Sequence, residues 1–234
     1  MKDKVIKTAE QEEGYLEKSA AAVKKNPSVL DSKKDGAGSD NYTKYWRDIY
    51  KSYQGEPWCN AFVNWVFIKA FEEKEAKRLL YVNSSWSFYT PTSASYFKSN
   101  NAWYSKPLRG DIIYFKNSKR IHHVGIVYNV DSNYVYTIEG NTSSGSEVVP
   151  NGGGVYKKKY VLSNSAIAGY GRPAYSGEHQ IAQVITVGTG RKGMKVLANL
   201  NIRDNAGTAD SCVIGKYDIN TYVFPVARTR KIED

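Results

Sequence analysis

Four residues have side chains whose order and spacing suit attack on an amide: Cys59, His123, Glu139 and Asn141. Cys59 follows Pro57 at the start of an apolar pattern with helical spacing, so a helix is expected to begin near residues 56–58. A thiol in the first turn lies near unpaired backbone N–H groups and the positive end of the helix dipole, and both stabilise a thiolate. Cys59 is therefore either a nucleophile or a buried structural cysteine.

A cysteine nucleophile needs a base, and the base needs a group that orients it. The chain has three histidines. His122 and His123 open a predicted strand and point to opposite faces of it, whereas His179 falls in a predicted linker. On the following strand, Glu139 and Asn141 share a face.

The register of these two strands decides whether the polar side chains meet. If residues 131–133 form the turn and the residues on either side of it pair, His123 faces Asn141 and Gly125 faces Glu139. The three polar residues then cluster on one face, with room beside the acid at Gly125, and that face is expected to pack against the start of the Cys59 helix. A turn one residue longer or shorter would break this arrangement.

Each residue of this cluster has a predicted role. Cys59 attacks a carbonyl as thiolate, and His123 takes the proton and later gives it to the leaving amine. Glu139 or Asn141 fixes the imidazole tautomer, and the backbone N–H of Cys59 helps to hold the oxyanion. Taken singly, His123 would be read as an ordinary strand histidine and Glu139 as a solvated strand acid; their combination with Cys59 favours catalysis.

The elements that must position these residues change character at Gly110. Helices are expected before it and antiparallel strands after it, which indicates an α+β fold. The expected helices cover residues 4–24, 42–53, the Cys59 segment and 93–98. The expected strands cover residues 103–104, 111–115, 122–130, 134–142, 155–161 and 166–172.

Four sequence blocks together resemble the CHAP family, the cysteine, histidine-dependent amidohydrolases/peptidases. They begin at Trp58, Gly110, His123 and Glu139, and read WCNAFVNW, GDIIYF, HVGIV and EGNT. The resemblance covers about residues 5–173. It implies a papain-like fold, with N-terminal helices packed on an antiparallel sheet, and hydrolysis of amide bonds in peptidoglycan. It also implies that Cys59 is the nucleophile, His123 the base, and Glu139 and Asn141 the orienting polar pair.

The C-terminal part has a different composition. The sequence predicts a catalytic domain over residues 1–173, a linker over 174–190 and a small β-rich segment over 191–234. The last resembles the opening half of bacterial Src-homology-3-like wall-binding domains, through LNIRDNAGT at residues 200–208 and VIG at 213–215. Cys212, in this segment, is expected to be a core residue.

The composition limits the kinds of molecule that the chain is expected to bind. A net charge of +10 and a pI of about 9.3 favour anionic partners. The lysines are scattered, so no nucleic acid is expected as a partner. No apolar run reaches the length of a membrane span, and no secretory signal is expected at the start. With no such signal, the chain resembles a phage or prophage endolysin, which implies bacterial peptidoglycan as its partner and a hydrolase that is cytoplasmic until it is released to the cell wall.

Several alternatives stay open at this point. The bond cut is either the muramoyl–alanine amide or a peptide bond of the stem or cross-bridge. The substrate could instead be a protein, for a cysteine peptidase or acyltransferase, or the chain could bind cell wall without cutting it. No cofactor or metal is expected, because the spacing of the acidic residues before Cys59 is not that of an EF-hand. These residues are Asp31, Asp35, Asp40 and Asp48.

Overall fold

A computed structural model describes residues 1–144, 151 and 153–175, and the backbone of five strands after residue 175. The chain divides into two compact units, Met1–Tyr175 and Ser176–Asp234. The first unit has the predicted α+β fold, with helices followed by a six-stranded antiparallel sheet. None of the described helices has the length and apolar character needed to span a bilayer.

The helices of the first unit precede the sheet in sequence. They are α1 (Lys2–Glu10), α2 (Ala20–Lys25), α3 (Lys44–Ile49), α4 (Cys59–Leu79) and α5 (Thr90–Ser99), with 3₁₀ turns at Pro27–Asp31 and Lys51–Tyr53. The prediction of one helix over residues 4–24 is wrong. Gly14 adopts a φ of 82°, and Leu16 and Lys18 form isolated β-bridges, so the chain is extended between α1 and α2.

Helix α4 is the central element. It begins at Cys59, immediately after Pro57 and Trp58 and one residue beyond the start predicted near residues 56–58. The prediction of a single apolar face is too narrow, because every residue from Cys59 to Phe67 is buried. Glu72 interrupts the helix with φ 66° and ψ 166°, a conformation that residues other than glycine rarely adopt, and the helix changes direction there.

The sheet has the strand order β1-β6-β2-β3-β4-β5. Its strands are β1 (Trp103–Tyr104), β2 (Ile112–Lys116), β3 (Ile121–Val130), β4 (Tyr134–Thr142), β5 (Gly154–Val161) and β6 (Ile167–Gly171). Val124, Ile126 and Ile138 lie on the face that joins the main core with α4. The other face has a smaller apolar cluster that includes Phe115 and Val127.

The pairing of β3 with β4 differs from the prediction at the turn and agrees with it further along. Val130 pairs with Val135, one residue out of the predicted register. Tyr128 is then an extra residue in β3, a β-bulge, and beyond it Ile126 pairs with Ile138 in the predicted register. The shift at the turn and the bulge cancel, so the hairpin beyond the bulge has the register expected from the sequence.

The end of the first unit and the start of the second lie within the predicted linker. Ala174 and Tyr175 are buried in the first unit, where the Tyr175 hydroxyl donates to the Gly110 carbonyl oxygen at 2.9 Å. Residues Ala182–Val187, also in the predicted linker, form a strand.

The second unit contains short antiparallel strands. They are β7 (Ala182–Val187), β8 (Arg191–Val196), β9 (Leu200–Arg203), β10 (Val213–Tyr217) and β11 (Tyr222–Val223). Strands β7, β8 and β11 form one sheet, and β9 pairs with β10. The resemblance to Src-homology-3-like domains stays a prediction, and His179 and Cys212 lie outside the described residues.

Candidate active site

Cys59 lies at the N-terminus of α4, close to the end of β4. Gly140 allows this approach, because a Cβ atom at that position would lie 2.6 Å from Phe62 Cβ and 2.7 Å from Trp58 Cζ3. The first N–H groups of a helix have no partner within the helix, so the backbone at Cys59 offers hydrogen-bond donors next to the thiol. The thiol therefore stands at a positively polarised helix end.

His123 hydrogen-bonds to an acid and interacts with the Cys59 thiol. Its Nε2 lies 2.9 Å from Glu139 Oε2. Burial lowers the pKa of His123, but the interactions with Cys59 and Glu139 outweigh burial and raise the pKa to about 9. At neutral pH the imidazole is therefore protonated.

Glu139 is fully buried and has several hydrogen-bond partners. Besides His123, Thr137 Oγ1 donates to its Oε1, and the Tyr160 hydroxyl donates to its Oε2 at 3.2 Å. Burial and the charge of Glu139 raise the pKa of Tyr160, which keeps the hydroxyl protonated as a donor. A carboxylate held by three partners has little freedom to rotate, so the imidazole bonded to it has a fixed orientation.

Gly125 provides the space for this carboxylate, as the sequence predicts. A Cβ atom at position 125 would lie 2.5 Å from Glu139 Cγ. Any side chain larger than hydrogen would displace the acid or the strand.

Asn141 lies at the end of β4, and no hydrogen bond joins it to His123 within the described part of the chain. It is buried, with a φ of 54°, at a bulge where Gly140 and Asn141 stand opposite Val155 alone. Its Oδ1 accepts no hydrogen bond in the described part of the chain. Of the two residues predicted to orient the imidazole, Glu139 is therefore the one bonded to it.

The predicted packing of the catalytic face needs a correction. His123 pairs with Phe115 and shares a face with the smaller apolar cluster, whereas Val124 and Ile126, on the opposite face, pack in the core with α4. The strand positions under α4 are occupied by apolar residues. Polar side chains there would find few partners on the buried helix. Cys59 meets His123 where β3 begins.

A groove of about 1150 Å³ opens at Cys59. Its walls come from the segment between α3 and α4, the second half of α4, the segment before α5, and the start of β3. The aromatic residues that line it are Trp46, Tyr50, Tyr53, Trp86, Phe88, Tyr89 and Tyr96. A space of this size accommodates a ligand of several residues or sugar units.

Residues 51–141 match the family model of the CHAP domain. The matched residues run from the loop before Cys59 to Asn141, so the CHAP match includes the whole Cys59–His123–Glu139 arrangement. Solved structures to which the chain is similar include "The crystal structure of Ly7917" and "The crystal structure of Ly7917 with the hydrolyzing product of MDP". Their identities are 16% and 17% and their TM-scores 0.36 and 0.34, each with 70% of either chain covered. No significant match was found among curated proteins.

Sequence reasoning missed three residues of the candidate site. His122, left out because it matches no catalytic position of the family that the sequence resembles, lines the groove with Cys59 because it is the extra residue of a bulge between Ile121 and His123. Burial and the nearby positive charges of His123 and Arg120 lower the pKa of His122. Thr137 and Tyr160 were not assigned a role. Thr137 shares a strand face with Glu139, but Tyr160 could be found only by knowing the pairing of β4 with β5.

No group of three or more His, Cys, Asp or Glu side chains suited to a metal ion occurs among the residues that the structure describes. Three of the acidic residues before Cys59 have other partners. Asp31 and Asp48 both pair with Arg47, and Asp40 accepts from the Ala20 backbone N–H at 2.8 Å.

Proposed function

We propose that this chain is a peptidoglycan hydrolase that cleaves an amide bond through the thiolate of Cys59. The observation that carries the proposal is the buried contact of Cys59, His123 and Glu139 at the end of an open groove, within the CHAP domain match. The net charge of +10 favours approach to an anionic cell wall.

The first half of the reaction forms a thioester. The Cys59 thiolate attacks the amide carbonyl carbon, and the backbone N–H groups at the start of α4 stabilise the resulting oxyanion. The imidazolium of His123 then donates its proton to the amide nitrogen, and the C–N bond breaks with release of the amine. Glu139 keeps a negative charge beside the imidazolium and holds the ring in place.

The second half of the reaction returns the enzyme to its starting state. His123, now neutral, takes a proton from water, and the hydroxide attacks the thioester carbonyl. The C–S bond breaks, a carboxylic acid leaves, and the thiolate–imidazolium pair forms again. The reaction consumes one water and needs no other reactant.

The experiment compares the native chain with Cys59→Ser on purified Gram-positive cell walls. Turbidity reports lysis, and mass spectrometry identifies the new amino and carboxyl termini. The native chain should lyse walls, and Cys59→Ser should lower the rate by more than about 10³-fold, because a serine hydroxyl is a far weaker nucleophile than a thiolate here.

Cys212→Ser is the matched control, since it removes the second of the two cysteines. It should retain the native rate. Lysis by Cys59→Ser at the native rate would contradict the proposed mechanism. Tight binding to walls without any new terminus would instead favour a protein that binds the wall and does not cut it.

A further inference from the structure

Two tyrosine side chains form an exposed wall of the groove. Tyr50, at the end of α3, is 50% exposed, and Tyr53, in the following 3₁₀ turn, is 42% exposed. Large aromatic side chains with this much exposed area are uncommon in the first unit, and both line the groove that opens at Cys59. We call these two residues the tyrosine wall.

Other aromatic side chains pack against the tyrosine wall and hold it in place. The rings of Tyr50 and Tyr53 are 4.7 Å apart, and both pack against Phe88, at 6.0 and 5.7 Å. Tyr53 also packs against the buried ring of Trp46 at 5.4 Å. Rings packed in this way hold their exposed faces in a fixed position. A ligand that binds to these faces therefore does not lose free energy to ordering the side chains.

Hydrogen bonds fix the backbone that carries the wall. Gln54 makes two of them to the backbone of Thr43, each 2.8 Å long. Trp46 Nε1 donates to the carbonyl oxygen of Glu56 at 2.8 Å. These bonds connect the segment between α3 and α4 at both of its ends, and Cys59 follows directly after it.

The chemistry of the wall suits a sugar. Each ring presents a flat apolar face beside a hydroxyl, and within the described part of the chain neither hydroxyl makes a hydrogen bond. A pyranose has an apolar face of C–H groups and a rim of hydroxyl and amide groups, so it complements both features. The stem peptides of peptidoglycan carry small methyl groups and charged ends, and they have no comparable flat face.

A second wall of the groove has a different character. Arg120 lies over the ring of Tyr89 at 5.3 Å and lines the groove together with His122. Phe88 packs against the tyrosine wall, and its neighbour Tyr89 contacts Arg120, so these consecutive residues connect the two walls. The Arg120 guanidinium suits the carboxylates of a stem peptide.

We propose that the tyrosine wall binds an N-acetylhexosamine of the glycan strand, so that the bond cut at Cys59 is the amide between the muramic acid lactyl group and the first stem residue. This inference rests on the proposed function, because it assigns the two parts of its substrate to the two walls. The lactyl carbonyl carbon becomes the thioester carbon on Cys59, the C–N bond to the stem breaks, and the stem nitrogen leaves with a proton from His123. Water then releases the lactyl carboxylic acid.

The binding test uses the full chain with Cys59→Ala and two probes, a peptide-free glycan fragment and a free stem peptide, followed by calorimetry. The glycan fragment should bind, and Tyr50→Ala with Tyr53→Ala should raise its Kd about tenfold through loss of the stacked faces. Tyr50→Phe with Tyr53→Phe should keep most of the affinity, because the rings remain. Tyr134→Ala, a tyrosine outside the groove, is the control and should leave Kd unchanged.

The product test uses the native chain on purified walls. New amino termini at the first stem residue support the inference, whereas termini within the stem or cross-bridge overturn it. No binding of the glycan fragment, or binding that the double Ala variant leaves unchanged, also overturns it, and wall lysis dependent on Cys59 would then leave the proposed function intact. Glycan binding through the two tyrosines without any wall cleavage would support the sugar site and contradict the proposed function.

Discussion

The cluster of His123 and Glu139 and the groove beside it are built in opposite ways. Glu139 and His123 are 0% and 1% exposed, and Glu139 has three side-chain partners. Tyr89, in the groove, is 55% exposed. Under the proposed function, the chemistry takes place in a closed polar cluster, and the substrate binds to an open surface.

This difference follows from what each region must do. A buried charge without partners costs several kcal/mol, so a closed catalytic cluster is stable only when its polar atoms are paired. A groove that binds a ligand must leave its aromatic rings exposed and its hydroxyl groups without hydrogen-bond partners until the ligand arrives. Changes at the catalytic end should therefore affect rate most, and changes in the groove wall should affect binding or stability.

Removing the charge of Glu139 should have the largest effect among the variants that keep Cys59. We expect Glu139→Gln to lower the rate of wall hydrolysis about 10²–10⁴-fold, because the His123 imidazolium loses its buried counter-charge. The pKa of His123 should fall, so the alkaline limb of the rate profile should move to lower pH. A variant with reduced rate and an unmoved profile would mean that Glu139 only supports the fold. Glu13→Gln, which removes an exposed acid near Lys157, is the matched control.

Gly125→Ala tests how closely the cluster is packed. Its Cβ atom would lie 2.5 Å from Glu139 Cγ, so we expect a loss of about 1–3 kcal/mol of unfolding free energy. Displacement of the carboxylate should also lower the rate roughly 10–100-fold per folded molecule. Gly14→Ala separates the two effects, because Gly14 has a φ of 82° but no atom near the added methyl group. That control should lose stability and retain its rate, and an equal loss of rate in both variants would contradict this account.

The pH dependence should report the closed environment of His123. Its pKa is raised from 6.5 to about 9, so its contribution to stability is fully present below pH 6.5 and is lost as pH rises through about 9. The rate should fall about tenfold per pH unit above that value, because the proton donor to the leaving amine is lost. Chemical unfolding and rates between pH 6 and 10 measure both effects. In His123→Gln the unfolding free energy should fall less between pH 6.5 and 9 than it does in the native chain. If it falls equally in both, the pH dependence of stability comes from other groups.

Glu72→Gly should have the smallest effect and the opposite sign. Glycine adopts the φ of 66° at this position without strain, so we expect a gain of about 1 kcal/mol in unfolding free energy and no change in rate. Lys74→Gly, at an ordinary helical position two residues further along, should instead lose about 1 kcal/mol. A lower rate in Glu72→Gly would indicate that the groove wall formed by Glu73 and Lys77 depends on this kink.

The sequence was sufficient to predict the elements that depend on residues close together in the chain. The apolar pattern after Pro57 predicted a helix start near residues 56–58, within one residue of the observed start at Cys59, and alternation along β3 and β4 predicted that His123 and Glu139 share a face. The glycine at position 125 was predicted to leave room for the acid, and it does. These features depend on neighbours within a few residues or on one hairpin.

The features that the sequence did not predict depend on contacts between distant segments. The bulge at His122 turns that residue toward the groove, and no single-strand pattern reveals it. Tyr160 reaches Glu139 only through the pairing of β5 with β4. The break between α1 and α2 comes from bridges that residues near Leu16 make with Gly154, far along the chain.

The bulge at Tyr128 affects which insertions and deletions this hairpin can accept during evolution. Because β3 already accommodates one unpaired residue there, the pairing near the turn is one residue out of step with the pairing near His123. Loss or gain of one residue at the turn can be absorbed by removing or enlarging that bulge, and Ile126 still faces Ile138. Related chains with turns of different length can thus retain the same catalytic geometry, and spacing between His123 and Glu139 is a poor criterion for recognising them.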